Sequence, residues 1–251
     1  MNAAPEGLLA RYGERLESAI DAIVRDEADH VRVAATLVAD QVRQDGLVHV
    51  YGPGGHSALA VQDVFYRAGC PIAVAPVADP ATALFAGALG STAAEREADH
   101  GEAVVAGSGV GQGALFVVVN AFGVNAAAVG AARAARARGA RVIALSSRAA
   151  EAAVPAGHRA RSGSLPAHAD VHVDTHVPAG DVVLEAGPGV RVGGLSTVLN
   201  SFVLHAILAS AVEQLVAGGD EAWVWHSSYT AGGDAHNARA AERVRERVPQ
   251  L

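Results

Sequence analysis

The sequence predicts an α/β fold in which a parallel sheet is covered by helices on both faces. Short apolar runs typical of strands alternate along the chain with segments of helical spacing, an order characteristic of parallel sheets. Two of these runs end in glycine-bearing turns, which lead into helix-like segments. With 251 residues, 51% of them hydrophobic, the chain can bury a large core.

The elements follow from the spacing of the apolar residues. Residues from about 7 to 45 predict one or two helices before the first strand. Strand-like runs then occur at 47–51, 72–75, 115–119, 141–145 and 169–177. Helices are expected from Ser57 to about Gly69, over 80–106, over 126–138 and, at the C-terminus, over about 193–248.

The predicted sheet core therefore spans about 46–178. Residues 148–168 contain several prolines and glycines and predict a long irregular excursion. Because no internal repeat or clear linker interrupts the sequence, we expect a single domain over residues 1–251.

Composition excludes several functions. All 19 basic residues are arginines, so Schiff-base chemistry, pyridoxal phosphate attachment and a Walker-type P-loop, which need lysine, are excluded. The net charge is −7 and the arginines are dispersed, so we expect no nucleic-acid partner.

The composition also indicates a cytoplasmic protein. A single cysteine, Cys70, excludes an internal disulfide framework and suits a reducing compartment. The first residues lack the basic start and apolar stretch of a signal peptide. The most apolar segment, 193–215, includes Asn200 and Glu213, so it predicts a buried helix rather than a membrane span.

The first glycine-bearing turn, Gly52–Ser57, follows the strand-like run 47–51. A strand that turns into a helix over small residues leaves backbone N–H groups unpaired, and these attract anions such as phosphate. Ser57 could cap the helix or donate to a phosphate oxygen. The candidate ligand-binding residues here are Gly54, Gly55, His56 and Ser57. The alternative is an ordinary tight connection between a strand and a helix.

The second turn, Asn120–Asn125, follows the run 115–119 and has the same placement. Its amides could donate to a ligand or cap a helix, and Phe122 could pack in the core or form the floor of a pocket. The candidates are Asn120, Phe122, Gly123 and Asn125. Ser146 and Ser147 end a third run at the same edge, where a helix N-cap is the commoner role for serine.

Histidine and aspartate alternate with apolar or small residues from His168 to His176. On a strand these five polar residues share one face and resemble a set of metal ligands. Neighbours on one face lie about 7 Å apart, however, so one ion would rarely take more than two of them. We therefore expect the solvated face of an edge strand.

Together, several stretches resemble the sugar isomerase (SIS) domain family. The matching stretches are 48–69, 87–95, 123–139, 141–147, 174–181, 194–197 (GLST) and 232–237 (GGDAHN), so the resemblance covers nearly the whole chain. It implies a three-layer αβα sandwich with a five-stranded parallel sheet, extra N- and C-terminal helices, and assembly as a homodimer or homotetramer. It also implies a phosphosugar at the carboxyl ends of the strands, and adds Ser196, Thr197 and Asn237 to the candidates.

The sequence departs from the family pattern at both turns. The second turn of the family is typically Ser-x-Ser-Gly, whose hydroxyls hold the phosphate, but here it reads Asn120-Ala121-Phe122-Gly123. Two hydrogen bonds to a charged group, worth roughly 1.5–3 kcal/mol each, are therefore missing. In the first turn, Pro53 removes one N–H donor.

The resemblance implies a function in carbohydrate chemistry. An aldose–ketose isomerase needs a base to move a proton between C1 and C2 and an acid to open the sugar ring. The candidates are Glu95 as base and His236, in the first turn of the C-terminal helix, as acid. No cofactor is expected.

A metal is not expected at this site either. Some phosphoheptose isomerases of the family bind zinc through His and Glu in the helix after the first turn. That helix offers Gln62, Asp63 and Arg67 here. Two alternatives to an isomerase remain: a non-catalytic sugar-phosphate sensor, and a protein that takes a neutral sugar or another ring stacked on Phe122.

Overall fold

The computed structural model describes residues 7–251, and within them five parallel strands form one sheet. The strands are β1 (Val48–Tyr51), β2 (Val74–Pro76), β3 (Leu115–Val119), β4 (Arg141–Ser146) and β5 (Val171–Asp174). Their order across the sheet is β2-β1-β3-β4-β5, with Val48 of β1 opposite Leu115 of β3. The predicted five-stranded parallel sheet is confirmed.

Helices connect and flank these strands. They are α1 (Leu8–Asp26), α2 (Ala28–Arg43), α3 (Gly55–Val64), α4 (Ala88–Ala94), α5 (His100–Gly107), α6 (Ala126–Ala137), α7 (Arg148–Ala153), α8 (Ser196–Ala217) and α9 (Gly233–Val244). Short 3₁₀ turns lie at Pro80–Thr82, Leu84–Ala86 and Leu165–His168. An antiparallel hairpin of β6 (Val182–Gly187) and β7 (Val190–Gly194) precedes α8.

The helices form a layer on each face of the sheet. Val50, Val117 and Leu145 pack with the buried residues of α2, α3 and α8 on one face. Phe116 and Val118 pack with buried residues of α5 and α6 on the other. Every residue of β3 is buried, as expected for a central parallel strand covered on both sides. The architecture is the three-layer αβα sandwich implied by the resemblance.

Helix α8 is long and apolar enough, by composition, to cross a membrane. Here it packs between α2 and α3 and buries Leu199, Val203 and Ile207 in the core of the domain. The segment 193–215 therefore contributes a core helix to this fold, as its polar residues predict.

Two predicted elements differ in extent from the structure, and one hairpin was not predicted. The helix expected over 80–106 is interrupted. Two 3₁₀ turns, α4 and α5 occupy that stretch, and Gly87, with φ 128°, ends the second 3₁₀ turn and is the N-cap residue of α4. The strand expected over 169–177 is limited to Val171–Asp174, since His168 ends a 3₁₀ turn. The hairpin over 182–194 was not expected, although valine-rich runs on both sides of Gly187-Pro188-Gly189 are a strand-turn-strand pattern.

Close packing of α5 on α6 generates a stability prediction. A Cβ on Gly101 would lie 2.0 Å from the carbonyl oxygen of Ala127, so Gly101→Ala must push the two helices apart. We expect the free energy of unfolding, measured in urea, to fall by about 1–3 kcal/mol. The control Gly107→Ala, in the same helix and with open space at its Cβ, should leave stability unchanged or raise it. Equal losses in both variants would contradict this packing.

Candidate functional site

The two predicted turns lie beside each other at the carboxyl edge of the sheet. Strands β1 and β3 are neighbours, but α3 leaves β1 toward one face and α6 follows β3 on the other. Such a divergence opens a crevice outside the carboxyl ends of the strands, where open α/β sheets bind ligands. The sequence expectation that both turns face one site is consistent with this topology.

The first turn presents the start of α3 to this crevice. Helix α3 begins at Gly55, with Gly54 as the N-cap residue in a left-handed conformation (φ 89°). The N–H groups of the first helical residues have no partner within the helix. Ser57 is buried in that first turn and is therefore not the cap, while His56 is exposed.

Glu95 joins the two turns. It follows the last residue of α4, and a Cβ on Gly54 would lie 2.7 Å from the carboxylate of Glu95, so only glycine permits this approach. On the other side, the Asn125 amide donates to Glu95 Oε2 at 2.5 Å, and the Ala127 N–H donates to the Glu95 carbonyl at 3.0 Å. The structure thus brings together the predicted residues Gly54, Glu95 and Asn125.

The surroundings of Glu95 change its acidity. Burial raises the pKa of the Glu95 carboxyl, and the hydrogen bond from Asn125 and the nearby Arg96 and His56 oppose this rise. A carboxylate with a raised pKa accepts a proton more readily near neutral pH than an exposed one does. Glu95 therefore has the electrostatic environment of a candidate proton acceptor.

A second polar cluster at this edge was missed in the sequence. Asp79 accepts a hydrogen bond from the Tyr51 hydroxyl at 2.8 Å and contacts His100 Nε2 at 2.9 Å. Burial, together with the charge of Asp79, raises the pKa of the Tyr51 hydroxyl far above its usual value, so Tyr51 stays a donor. The positions of these residues could have indicated the cluster, because Tyr51 ends β1 and Asp79 lies just past the end of β2.

A cavity of about 570 Å³ opens between α3 and the segment 77–85. Its wall includes Gly55 and His56 of the first turn together with Asp79, while Leu59 and Leu84 make most of it apolar. This volume and lining, apolar with a few polar groups, are typical of a site for a small molecule.

The second turn is stabilised by a hydrogen bond between its own residues. Asn120 Oδ1 accepts a hydrogen bond from the Gly123 N–H at 2.9 Å, so this side chain stabilises the turn. Gly123 has φ 62°, and a Cβ there would lie 3.0 Å from Ser146 Oγ. Phe122 is half-buried and packs against the core cluster, which supports core packing for its ring.

Ser146 and Ser147 are fully buried and engaged. Ser146 Oγ lies 3.0 Å from His172 Nε2, whose pKa is lowered by burial. Ser147 is the N-cap of α7: its hydroxyl accepts from the Ala150 N–H at 3.2 Å and donates to the Val177 carbonyl at 2.6 Å. The N-cap expectation is confirmed for Ser147, whose side chain is not free to meet a ligand.

Ser196 and Thr197 begin α8 and follow the β6–β7 hairpin in the chain. The Asp181 carboxylate accepts from the Ser196 N–H at 2.7 Å and from its hydroxyl at 2.9 Å. Asp181 thereby satisfies the start of α8, and the Ser196 hydroxyl is engaged in that bond.

His236 and Asn237 form a separate group within the chain. His236 Nε2 contacts the Val224 carbonyl at 2.9 Å, and its ring stacks on His226 at 3.6 Å. Asn237 bonds both backbone groups of His226. The segment 223–225 pairs with residues 68–72, which precede β2, so this group lies toward the amino end of the sheet. Within one chain, His236 therefore does not lie at the same site as Glu95.

The histidine and aspartate stretch is not a solvated face throughout. Only Val171–Asp174 is strand, and Asp174 at its end is buried. The expectation of a solvated edge-strand face is therefore wrong for Asp174, because residues from the α1–α2 junction cover the carboxyl end of β5.

Comparisons with known proteins agree with this fold. Residues 11–147 match the family model described as the SIS domain. A UPF0309 protein of Streptomyces griseus is 38% identical over 250 residues, covering 94% of this chain and 96% of the relative. A UPF0309 protein of Listeria monocytogenes is 31% identical over 234 residues, covering 92% and 94% respectively.

Two solved structures share the fold. A phosphoheptose isomerase from Neisseria gonorrhoeae has a TM-score of 0.55 at 18% identity, covering 82% of this chain and 97% of that one. A phosphoheptose isomerase from Francisella tularensis has a TM-score of 0.50 at 15% identity, covering 81% and 95%. At these identities the likeness concerns the fold alone.

The raised pKa of Glu95 predicts a pH-dependent difference between the wild-type protein and Glu95→Gln. The folded state holds the Glu95 proton more tightly than the unfolded state does. Protonation of Glu95 therefore stabilises the folded wild-type protein below pH 4.5, the usual pKa, and this stabilisation is lost as pH rises through the raised pKa. Glutamine resembles the protonated carboxyl and does not titrate, so Glu95→Gln loses no stability through this group as pH rises. Melting temperatures should therefore move in favour of Glu95→Gln as pH rises.

The exposed neighbour Glu97 supplies the control. The difference in melting temperature between Glu97→Gln and the wild-type protein should not follow this trend, since Glu97 is exposed in both folded and unfolded states. If the melting temperature of Glu95→Gln stayed constant or fell relative to that of the wild-type protein as pH rises, the raised pKa of Glu95 would be contradicted.

Proposed function

The chain belongs to the SIS domain family, and on this basis we propose that it binds a phosphorylated carbohydrate derivative at the two turns. The more specific proposal is that it interconverts the aldose and ketose forms of a sugar phosphate. The observation that carries it is the position of Glu95, in contact with Gly54 of the first turn and Asn125 of the second. Two proteins of similar fold are phosphoheptose isomerases, so the proposed activity is one that this fold can carry.

Glu95 is the proposed base. Its carboxylate takes the proton from C2 of the open-chain aldose, while O1 gains a proton and an enediol forms. The same carboxyl then returns its proton to C1, and O2 loses one, which leaves the ketose. A general base of this kind must both accept and return a proton near neutral pH. The raised pKa of Glu95 moves its carboxyl toward that pH.

Ring opening needs an acid near the same crevice. In one chain, His56 is exposed on the first turn, lines the cavity and is close enough to Glu95 to affect its pKa. We therefore favour His56 as the acid of the same chain. His236, the candidate from the sequence, would serve only if a second copy carried it to the crevice.

The phosphate would bind at the start of α3. The unpaired N–H groups of the first helical turn and the positive end of the helix dipole favour an anion there. Ser57 lies in that turn and is the candidate hydroxyl donor.

A second function is favoured by the second turn. Asn120 carries an amide in place of a hydroxyl and uses its Oδ1 within the turn, and the hydroxyls of Ser146 and Ser147 are buried and bonded, so no free hydroxyl is offered to a phosphate here. This supports a weaker phosphate site, as in a non-catalytic sensor or a protein that takes a neutral sugar. Such a protein would bind sugars without exchanging a carbon-bound proton.

Apolar side chains near the cavity support association of copies as a homodimer or homotetramer. Phe85 and Leu89 are almost fully exposed. Leu84, which precedes Phe85 in the chain, and Leu59, which lines the same cavity as Phe85, are partly exposed. Exposed groups of this kind are typical of an interface. A cytoplasmic location is part of the proposal and fits an unbridged cysteine.

Solvent exchange tests the proposed reaction. A panel of aldose and ketose phosphates is incubated with the protein in D₂O, and deuterium at C1 and C2 is followed by NMR. We expect exchange or isomerisation of at least one member of the panel. Glu95→Gln should lower its rate by roughly 10²–10⁴-fold, the usual contribution of a general base.

Glu97→Gln, two residues away and exposed, is the matched control and should keep the rate. Binding of the same compounds is measured by thermal shift on both variants. Binding without exchange in the wild-type protein would reject the isomerase and support the sensor. An equal rate in Glu95→Gln and wild type would reject Glu95 as the base.

A further inference from the structure

Three potential metal ligands meet at the edge of the sheet formed by β5. Glu27 lies between α1 and α2, Asp174 ends β5, and His176 follows two residues later. One oxygen or nitrogen from each lies within 4.8 Å of the others, and His176 Nε2 is 3.8 Å from Glu27 Oε1. The group is distant in sequence from the residues of the two turns and has no part in the proposed sugar chemistry.

The two carboxylates of this group are buried. Glu27 is 3% and Asp174 6% exposed, although burial of a charged group is costly unless an opposite charge compensates it. The nearest permanent cation is Arg148, whose Nη1 lies 3.5 Å from Glu27 Oε1 and 3.4 Å from Asp174 Oδ2. Tight charge-assisted bonds are about 2.7–2.9 Å long, so Arg148 compensates these charges only loosely.

The His176 ring leaves a nitrogen without a partner. Its Nε2 atom is buried and has no hydrogen bond within residues 7–251, yet it faces the Glu27 carboxylate. A buried imidazole nitrogen without a hydrogen bond, beside two buried carboxylates, supplies donor atoms of the kind that bind a metal ion. The backbone already orders this set, since Asp174 N–H donates to Glu27 Oε2 at 3.0 Å and His176 N–H to Asp174 Oδ1 at 2.9 Å.

We propose that Glu27, Asp174 and His176 bind a divalent transition-metal ion of the Zn²⁺ class. One imidazole nitrogen and two carboxylate oxygens are typical donors for such ions, whereas Mg²⁺ and Ca²⁺ prefer oxygen alone. Ligand atoms on one ion at about 2.0–2.2 Å lie about 3–4 Å apart, so side-chain rotation must bring them together by about 1 Å. The ion neutralises both carboxylates.

Two neighbouring side chains, His30 and Arg148, also contact the ligand carboxylates. His30 Nδ1 lies 2.9 Å from Glu27 Oε2 and orients that carboxylate, as outer partners of metal ligands do. The Arg148 side chain is 57% exposed and is free to swing outward, so it competes with the ion for the same oxygens. With the ion bound, the α1–α2 junction is tied to β5.

The test uses the full chain without an affinity tag, stripped of metals with a chelator. Zn²⁺ is titrated by calorimetry, and melting temperatures are measured with Zn²⁺ and with Mg²⁺. We expect one Zn²⁺ per chain and a rise in melting temperature with Zn²⁺ alone. His176→Gln should weaken binding by at least about 100-fold, beyond the roughly 10–100-fold effect of losing an outer partner.

Two further variants distinguish a metal site from a cluster of ion pairs. His168→Gln, in the same histidine-rich stretch but outside the group, is the matched control and should bind Zn²⁺ as the wild-type protein does. Arg148→Ala removes the competing cation and should bind Zn²⁺ at least about ten-fold more tightly without a similar gain for Mg²⁺, whereas two uncompensated carboxylates alone would gain affinity for both ions.

The proposal is overturned by any of three results: no Zn²⁺ binding in the wild-type protein, equal affinity in His176→Gln and wild type, or a larger stabilisation by Mg²⁺ than by Zn²⁺. Unfolding of each variant without metal is measured first. If His176→Gln were unfolded, the comparison of Arg148→Ala with wild type would decide the outcome alone, and unchanged or weaker binding would reject the site.

Discussion

The carboxylate of Glu95, held between Gly54 and Asn125, is the interaction on which the candidate site depends. The parallel order of β1 and β3 brings the two turns to one edge, but a side chain must still connect them. Glu95 does so because Gly54 has no Cβ to block it and because the Asn125 amide donates to it instead of capping α6. The end of α4, the start of α3 and the start of α6 therefore meet at one carboxylate.

This connection has an electrostatic consequence. Burial raises the pKa of Glu95, and the Asn125 amide limits the rise, so the same contacts that fix the side chain also adjust its acidity. Asp79, held by Tyr51 and His100, adds a second buried acid at the neighbouring strand. Of these two acids, Asp79 lines the largely apolar cavity, whereas Glu95 lies beside Gly54, next to the lining residue Gly55 at the start of α3.

The sequence predicted the sheet, its five strands and the positions of both turns, because apolar runs and glycines report directly on local structure. It also led to Glu95, although only through a family resemblance. Asp79 and His100 were missed because the contact of Asp79 with Tyr51 depends on the pairing of β1 with β2, and its contact with His100 on the position of α5, which residue spacing does not reveal. Ser147 followed the local rule for helix caps, whereas the contact of Glu27 with Asp174 joins residues far apart in the chain and needed the structure.

A ¹³C NMR titration of the Glu95 carboxyl carbon, assigned by its absence in Glu95→Gln, would probe the contact between the two turns directly. In the wild-type protein we expect a pKa above the usual 4.5. In Asn125→Ala the pKa should rise further, because the amide that stabilises the carboxylate is gone. An ordinary pKa in the wild-type protein, or a value that is unchanged or lower in Asn125→Ala, would show that Glu95 is not held between the turns.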